Sequence, residues 1–282
     1  MNCVTNSPHS ARVPRTEVAT GFRRARGLGL WAAIFLSGGL PGLAALHFDG
    51  IDDVCRAPST GSLDVTQAIT ISLWVSRDQI SSGTNTEPIL CKGNASEAGL
   101  VNYGLRFNPA RTNAVEFYYT GGVGQFHVCA GPAVFNDSGT WHHLAFVFQF
   151  RDPASALWYV DGRRDQGSWG VGMGTRPPRT TADPLKLGRD GAGVMFHGQL
   201  DEVAIWNQSL RPDQIRNLSS SRRYLPLEVS ERRPVVFWTL DNVPGGGIAS
   251  GTNSIVDLSG HGNHATPFNG PEIRGSPTLS YP

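Results

Sequence analysis

The sequence predicts an all-β, antiparallel fold, and three observations carry that prediction. The 282 residues include Gly 34 and Pro 19 but only 17% charged side chains, a composition suited to many short strands joined by turns. Residues 69–75 alternate with period two, Ile69, Ile71, Leu73 and Val75 against Thr70, Ser72 and Trp74, as in a strand with one buried face. Turn signals recur between such runs: Asp49-Gly50, Asn108-Pro109 and Asp161-Gly162. A chain of this length holds one large all-β domain or two small ones. A formal charge of +1 gives no field suited to nucleic acid, so no nucleic-acid partner is expected.

The N-terminus has its own pattern. Arg23, Arg24 and Arg26 precede the apolar run 27–36, and small residues follow to Ala45. That order is the order of a secretory signal peptide, with cleavage near Ala44 or Ala45. The competing reading is an uncleaved membrane anchor, although glycines and Pro41 interrupt the run and leave it short for a span. Residues 1–45 are therefore expected to be signal or anchor, and the protein secreted or held at the cell surface. Membrane contact is expected only through an uncleaved N-terminus. Those residues carry five arginines and one glutamate, so the remainder has 19 basic and 22 acidic residues, a net of −3. Three cysteines remain, Cys55, Cys91 and Cys129. The odd number leaves at least one thiol unpaired, and without a CxxC spacing a zinc site on cysteine is not expected.

From Leu46 onward the chain reads as successive strands: 46–48, 69–75, 88–93, 103–107, 114–119, 125–129, 141–150, 157–160 with a return through Arg163 and Arg164, 185–187 and 198–206. The Asp161-Gly162 pair predicts a type I′ hairpin. One short helix is expected at 212–218, opened by Pro212. Residues 219–233 read as a linker, and 235–241 as a further strand ahead of a loose, proline- and glycine-rich end. The run 198–206 poses a particular problem. Asp201 and Glu202 are adjacent carboxylates among Leu200, Val203, Ala204, Ile205 and Trp206, and buried carboxylates need a partner.

Seven phrases in order resemble the laminin-G-like, concanavalin-A-like jelly-roll family. They are 48–53 (Phe48-Asp49-Gly50), 69–75, Ile89-Leu90-Cys91-Lys92-Gly93, Trp141-His142-His143-Leu144-Ala145, 157–162, Leu185-Lys186-Leu187-Gly188 and 196–206. The resemblance covers about residues 46–218. It implies a two-sheet antiparallel jelly-roll sandwich with one short helix near the end of the main domain, and a binding role, often toward glycans or matrix proteins. The phrases Phe237-Trp238-Thr239-Leu240-Asp241 and 257–264 look like the opening of such a domain, displaced to the end. Residues 234–282 are then either a first-strand segment folded back on the domain, a permutation, or the stump of a second module. An exposed apolar strand favours folding back.

Family members often hold a structural calcium with such a loop. Carried over, the ligands are Asp201, Asp257, Asn263 and the backbone at Gly260, consistent with calcium's preference for oxygen. The competing reading is an Asx turn at Asp257 and a surface carboxylate at Asp201. Asp49, Asp52 and Asp53 form a second acidic cluster, read as a turn with solvated charges. His142 and His143 are adjacent in a strand and point to opposite faces, so they do not share a metal. No catalytic residues are expected, because no pair of carboxylates has glycosidase spacing on one face. Sugar binding needs exposed aromatics, for which Trp169, in the Gly-rich stretch 167–170, and Tyr118 and Tyr119 are the candidates. The expected function is non-catalytic binding of a glycan or a surface protein, with calcium as a structural cofactor. The alternative is a glycan hydrolase of the same fold, or an accessory module of one.

Overall fold

The computed structural model describes residues 44–275 except 81, 97–99, 123–124, 133–134, 192–193, 221–225 and 242–246. The expected signal or anchor lies outside the described residues up to residue 43. The first strand begins at Ala44, two residues inside that expected segment. Ala44 and Ala45 are buried and the Ala44 amide donates to Asp241 Oδ1 at 2.9 Å. Small alanines suit a cleavage site, and they suit a tightly packed strand as well.

The strands are β1 (Ala44–Asp49), β2 (Val54–Ala57), β3 (Ala68–Arg77), β4 (Glu87–Asn94) and β5 (Leu100–Asn108). They continue as β6 (Ala114–Gly121), β7 (Gln125–Ala130), β8 (Trp141–Gln149), β9 (Leu157–Val160), β10 (Arg163–Gln166) and β11 (Ser168–Val171). β12 (Leu185–Leu187), β13 (His197–Trp206), helix α1 (Pro212–Ser220), β14 (Val236–Trp238), β15 (Thr266–Phe268) and β16 (Glu272–Gly275) follow. They form two eight-stranded antiparallel sheets. Sheet A has the order β10-β9-β8-β3-β13-β1-β16, with β14 also on β13; sheet B has the order β11-β7-β6-β5-β4-β12-β2-β15. The Asp161-Gly162 turn joins β9 to β10 with φ of 51° and 73°, the left-handed pair a type I′ hairpin requires.

The period-two pattern places one set of side chains between the sheets. Ile69, Ile71, Leu73 and Val75 meet Phe117, Phe146, Trp158 and their neighbours in the main core. Lys92 is buried within the rim of that arrangement. Its Nζ donates to Thr181 O at 2.6 Å, Asp183 O at 2.7 Å and Ser59 Oγ at 3.0 Å, so all three ammonium protons are used and the 181–183 loop is tied to β4. The opposite face of sheet A is covered along part of its width. Ala145, Val147, Tyr159, Ala204, Trp206 and Phe237 pack there beneath Leu210, Ile215 and Leu218.

Strand β13 explains the adjacent carboxylates. One of its sides pairs with β3 along its length. The other side is shared, β1 pairing with residues 197–200 and β14 with 203–205. Between these partners the register against β3 shifts at Asp201–Ala204, and Glu202 has φ 48°, the mark of a β-bulge. The bulge lets Leu200 and Val203 both enter the main core, which strict alternation forbids. Opposite-face reasoning from adjacency therefore does not hold at Asp201 and Glu202.

Residues 235–275 add β14, β15 and β16 to the sheets, on β13, β2 and β1 respectively. Trp238 is fully buried in the main core, its Nε1 donating to Asn263 O at 3.0 Å. The stretch 226–233 is not the free linker expected. Leu227 and Val229 pack against the α1 cluster, and Gln214 Nε2 donates to Val229 O. The apolar residues in this polar-looking stretch find the helix, and that contact overrides its composition.

Cys55, Cys91 and Cys129 are all buried and free. Burial raises all three thiols, those of Cys91 and Cys129 to about 12. Thiol alkylation mapped by mass spectrometry is expected to leave these three unmodified in the native protein and to label them on denaturation. Truncation after Arg233 is expected to abolish cooperative thermal unfolding, since it uncovers half of one side of β13 and removes Trp238 from the core. Retention of a sharp transition in calorimetry would show that the tail is dispensable.

Candidate functional site

Asp257 and Asn263 meet in the loop after β14, and Gly260 lies between them with φ 93°. Asp257 Oδ1 accepts from the amides of Phe237 and Ser259, each at 2.9 Å. Its Oδ2 accepts from Ser259 Oγ at 2.7 Å and the Asn263 amide at 2.9 Å. A carboxylate offers about four lone-pair sites, and here each carries a proton donor. Asn263 Oδ1 accepts from Thr60 Oγ1 at 2.6 Å, while its Nδ2 donates to Val235 O and Ser62 Oγ. Asp201 sits on the β13 bulge, 1% exposed, its Oδ1 accepting from the Glu202 amide at 2.8 Å. Donors of the chain itself thus occupy both Asp257 oxygens and Asn263 Oδ1, and these contacts form a structural cap that ties β14 to its own loop and to residues 60–62.

The aromatic candidates are also placed differently from expectation. Tyr118 and Tyr119 are fully buried. Tyr118 donates to Asp190 Oδ2 at 3.2 Å beneath the Arg106 guanidinium, which lies 4.6 Å from its ring centroid. Tyr119 belongs to the main core and donates to Arg176 O. Trp169 lies in strand β11, packed on the core 5.1 Å from the Phe148 ring, with Nε1 donating to Pro153 O. None of the three presents an open ring face to a sugar, because the glycine-rich stretch around Trp169 forms an edge strand instead of a loop.

The accessible chemistry lies on the outer face of sheet B. Lateral pairing aligns Thr266, Arg56, Lys186, Cys91, Gly104 and Tyr118 across it. An open cleft on this face is lined by Arg56, Lys186, Arg189, Asn94, Ser96 and Asp183. Arg56 stacks over Phe268 at 4.9 Å, its Nε buried without a hydrogen-bond partner. Phe268, on β15, is 41% exposed. Lys186 Nζ makes a long 3.4 Å contact to Asp190 O. Three cations, two short polar groups, one carboxylate (Asp183, whose Oδ2 accepts from Thr181 Oγ1 at 2.7 Å) and an exposed ring thus converge. The sequence contains each residue, but their meeting follows from the β15-β2-β12 pairing, for which adjacency in the chain gives no signal. A carboxylate of this face is already engaged: Glu116, 1% exposed, accepts from Arg106 at 2.9 Å and Asn108 at 2.8 Å.

Asp49, Asp52 and Asp53 form a closed turn, with Asp49 Oδ1 accepting from the Ile51 amide and Asp53 Oδ2 from the Asp49 amide. His142 and His143 diverge. His142 bridges Asp161 at 2.8 Å and Asp137 at 3.1 Å, which raises its pKa, chiefly through the Asp161 hydrogen bond. His143 is buried against Ser72 and Trp74, and burial lowers it to about 4.

Asp257→Ala strands four donors, three of them amides, and is expected to cost on the order of 3 kcal/mol or more in urea denaturation. Added calcium is expected to leave the wild-type unfolding midpoint unchanged. For His143, the unfolded imidazole takes a proton near 6.5 while the native one stays neutral to about 4. Its contribution is therefore present above 6.5 and is lost as pH falls to 4, by about 3 kcal/mol in full. His142 acts in the opposite sense, adding stability below 6.5 that fades as pH rises through its raised value. His143→Gln should flatten the acid limb of a stability-against-pH curve by that amount, and an unaltered curve would refute the assignment.

Comparison with known proteins places this geometry. The sequence profile of the Concanavalin A-like lectin/glucanases superfamily matches residues 49–216. The chain is 28% identical over 235 residues to the rat Sushi, von Willebrand factor type A, EGF and pentraxin domain-containing protein 1, covering 77% of this chain and 6% of that protein. It is 27% identical to neuronal pentraxin-2 of Cavia porcellus, over 54% of this chain and 34% of that one. The chain thus spans about a third or less of the length of these relatives. A candidate carbohydrate binding protein of Bacteroides ovatus shares the fold, with a TM-score of 0.52 at 19% identity, covering 84% of this chain and 60% of that one. With the profile spanning more than half of the chain, this protein belongs to the concanavalin A-like lectin/glucanase superfamily.

Proposed function

We propose that this chain is an exported, non-catalytic binding module that takes an acidic glycan on the outer face of sheet B. The observation that carries the reading is the cleft of Arg56, Lys186 and Arg189 with Asn94 and Ser96, flanked by the exposed Phe268. Guanidinium and ammonium groups suit the carboxylate or sulfate groups of a glycan, and an exposed ring offers a stacking surface for a sugar face. Support for the binding class comes from the family and from the name of the Bacteroides ovatus relative. Support for a non-catalytic role comes from the cleft holding one lining carboxylate, Asp183, with Glu116 ion-paired and Asp190 buried, since glycoside hydrolysis needs two carboxylates free to face one cleft. Export rests on the N-terminal pattern of arginines, apolar run and small residues. No helix among the described residues is long and apolar enough to cross a membrane.

A glycan array including sulfated and uronic-acid sugars tests the reading. Binding is expected to weaken with salt, and Arg56→Ala with Arg189→Ala to weaken it at least tenfold, since each charge-assisted contact contributes about 1.5–3 kcal/mol. Phe268→Ala should weaken it without changing the salt dependence. Hydrolysis of a bound glycan would replace the module reading with the hydrolase one. Binding confined to protein ligands would remove the glycan.

A further inference from the structure

Four elements converge on the outer face of sheet A at a point outside the cleft. Ala44, Leu46 and Phe48 of β1 face the core, so His47 faces outward. There it meets Asp78, just past β3, His197, which opens β13, and Glu272 of β16. His47 Nε2 lies 2.7 Å from Asp78 Oδ2, and His197 Nε2 lies 3.5 Å from the same oxygen. One ligating atom from each of the three residues falls within 4.8 Å of the others. With metal bonds of about 2.0–2.1 Å, ligand atoms around a tetrahedral ion are about 3.3 Å apart. The two measured nitrogen–oxygen separations lie on either side of that value.

A second observation is independent of this spacing. His47 is 3% exposed, yet its Nδ1 has no hydrogen-bond partner. The facing carboxylate oxygen, Glu272 Oε2, is 3.8 Å away. In the neutral ring one proton serves two nitrogens. If Nε2 donates it to Asp78, the bare Nδ1 faces an anion. If Nδ1 carries it, two lone pairs face each other across 2.7 Å at Asp78. Two states remove both conflicts: an imidazolium donating from both nitrogens, or a cation on the Nε2 lone pair, which leaves the proton on Nδ1 pointing at Glu272 in the carboxylate–histidine–metal arrangement of known sites. The three-residue clustering of ligand atoms favours the second. Arg274 grips Glu272 at 2.8 Å and stands 3.6 Å from Asp78 Oδ2, which positions both carboxylates and leaves the group at a net charge of −1 with neutral imidazoles.

We propose that His47 Nε2, His197 Nε2 and Asp78 Oδ2 bind a divalent transition-metal ion of the zinc class, with Glu272 accepting the His47 Nδ1 proton. Two imidazoles and one carboxylate select zinc-like ions over calcium, which takes six to eight oxygens. His197 and Asp78 are 31% and 25% exposed, so the ion enters from solvent and keeps a fourth position for water or a ligand group.

The full chain, stripped by chelator, is titrated with Co²⁺ and then Zn²⁺. The intense visible bands of four-coordinate cobalt are expected, their loss as zinc displaces it, and a rise in Tm with zinc but not with calcium. His197→Ala and Asp78→Asn, both at partly exposed positions, should weaken cobalt binding at least tenfold. Glu272→Gln, which leaves all three ligands in place, should weaken it about tenfold. Absence of both the cobalt bands and the zinc shift in the wild-type protein overturns the proposal. So does unchanged affinity in His197→Ala and Asp78→Asn, which would place the ion elsewhere.

Discussion

The fold depends on how one side of β13 is covered. β1 reaches only its first half, and the second half is covered by β14, a strand from the far end of the chain. An apolar strand with unpaired amides and carbonyls is unstable toward association, so this closure decides whether the sandwich is complete. It is fixed by a buried carboxylate. Asp257 accepts from the Phe237 amide within β14 and from Ser259 and Asn263 in the loop beyond it. Asn263 carries the connection to Thr60 and Ser62. At the junction, Asp241 Oδ1 accepts the first amide of β1. The bulge at Asp201 and Glu202 is the adjustment that lets one strand serve two partners, and the paired carboxylates lie at this junction.

The closing segment also supplies both candidate binding surfaces. β15 places Phe268 beside Arg56, and β16 places Glu272 and Arg274 beside His47 and Asp78. A chain that folds only through α1 keeps the cations of the cleft and the His47, Asp78 and His197 group but lacks Phe268, Glu272 and Arg274, which complete both surfaces. Binding and completion of the fold are therefore linked: a ligand that favours either surface favours the docked tail, by mass action on the native state alone.

Most strands are legible in the sequence because their physics is local. Period-two alternation over 69–75 and the Asp161-Gly162 turn mark β3 and the β9–β10 hairpin without any tertiary information, and Pro212 marks the start of α1. Four strands leave no such mark: β2, β11, β15 and β16 have four residues or fewer each and, unlike the equally short β9, β12 and β14, lack an apolar run such as Leu157-Trp158-Tyr159-Val160 to show them. Trp169 reads as a loop residue for that reason. Tyr118 and Tyr119 illustrate a second limit, because aromatics favour strands whether exposed or buried, and only the Arg106 lid and the sheet-to-sheet packing settle which. The spacing of Asp257 and Asn263 suggests that they meet, but the donors the Asp257 carboxylate accepts from include the Phe237 amide twenty residues away, which no local pattern announces. The His47–Asp78–His197 group is invisible to sequence for the same reason. Register between strands assembles it, and no two of its members are near in sequence.

The two outer faces divide the work of the sandwich unequally. On sheet A, the width over β8, β9 and β13 is apolar and sealed by α1 with Leu227 and Val229, so polar chemistry is left to the two margins, β10 with its exposed Arg163, Arg164 and Asp165 on one side and β1 with β16 on the other. The histidine and carboxylate groups are at the β1–β16 margin. On sheet B, buried apolar contacts of the outer face are confined to the small cluster of Cys91, Val101, Tyr118 and Val128, and no helix among the described residues covers it. Its outward positions are consequently filled by Arg56, Arg106, Lys186 and Glu116, long or charged side chains that satisfy a wet face by pairing or by lying along it. Arg106 and Glu116 neutralise each other at 2.9 Å. The basic cleft is answered only in part: Asp183 lines it beside three cations, Arg56 is held by an aromatic ring and Lys186 by one distant carbonyl. A face with its central charges paired and its lateral cations only loosely engaged leaves its excess positive charge at the β2–β12 end of sheet B, which is the physical ground on which the proposed acidic glycan is placed there.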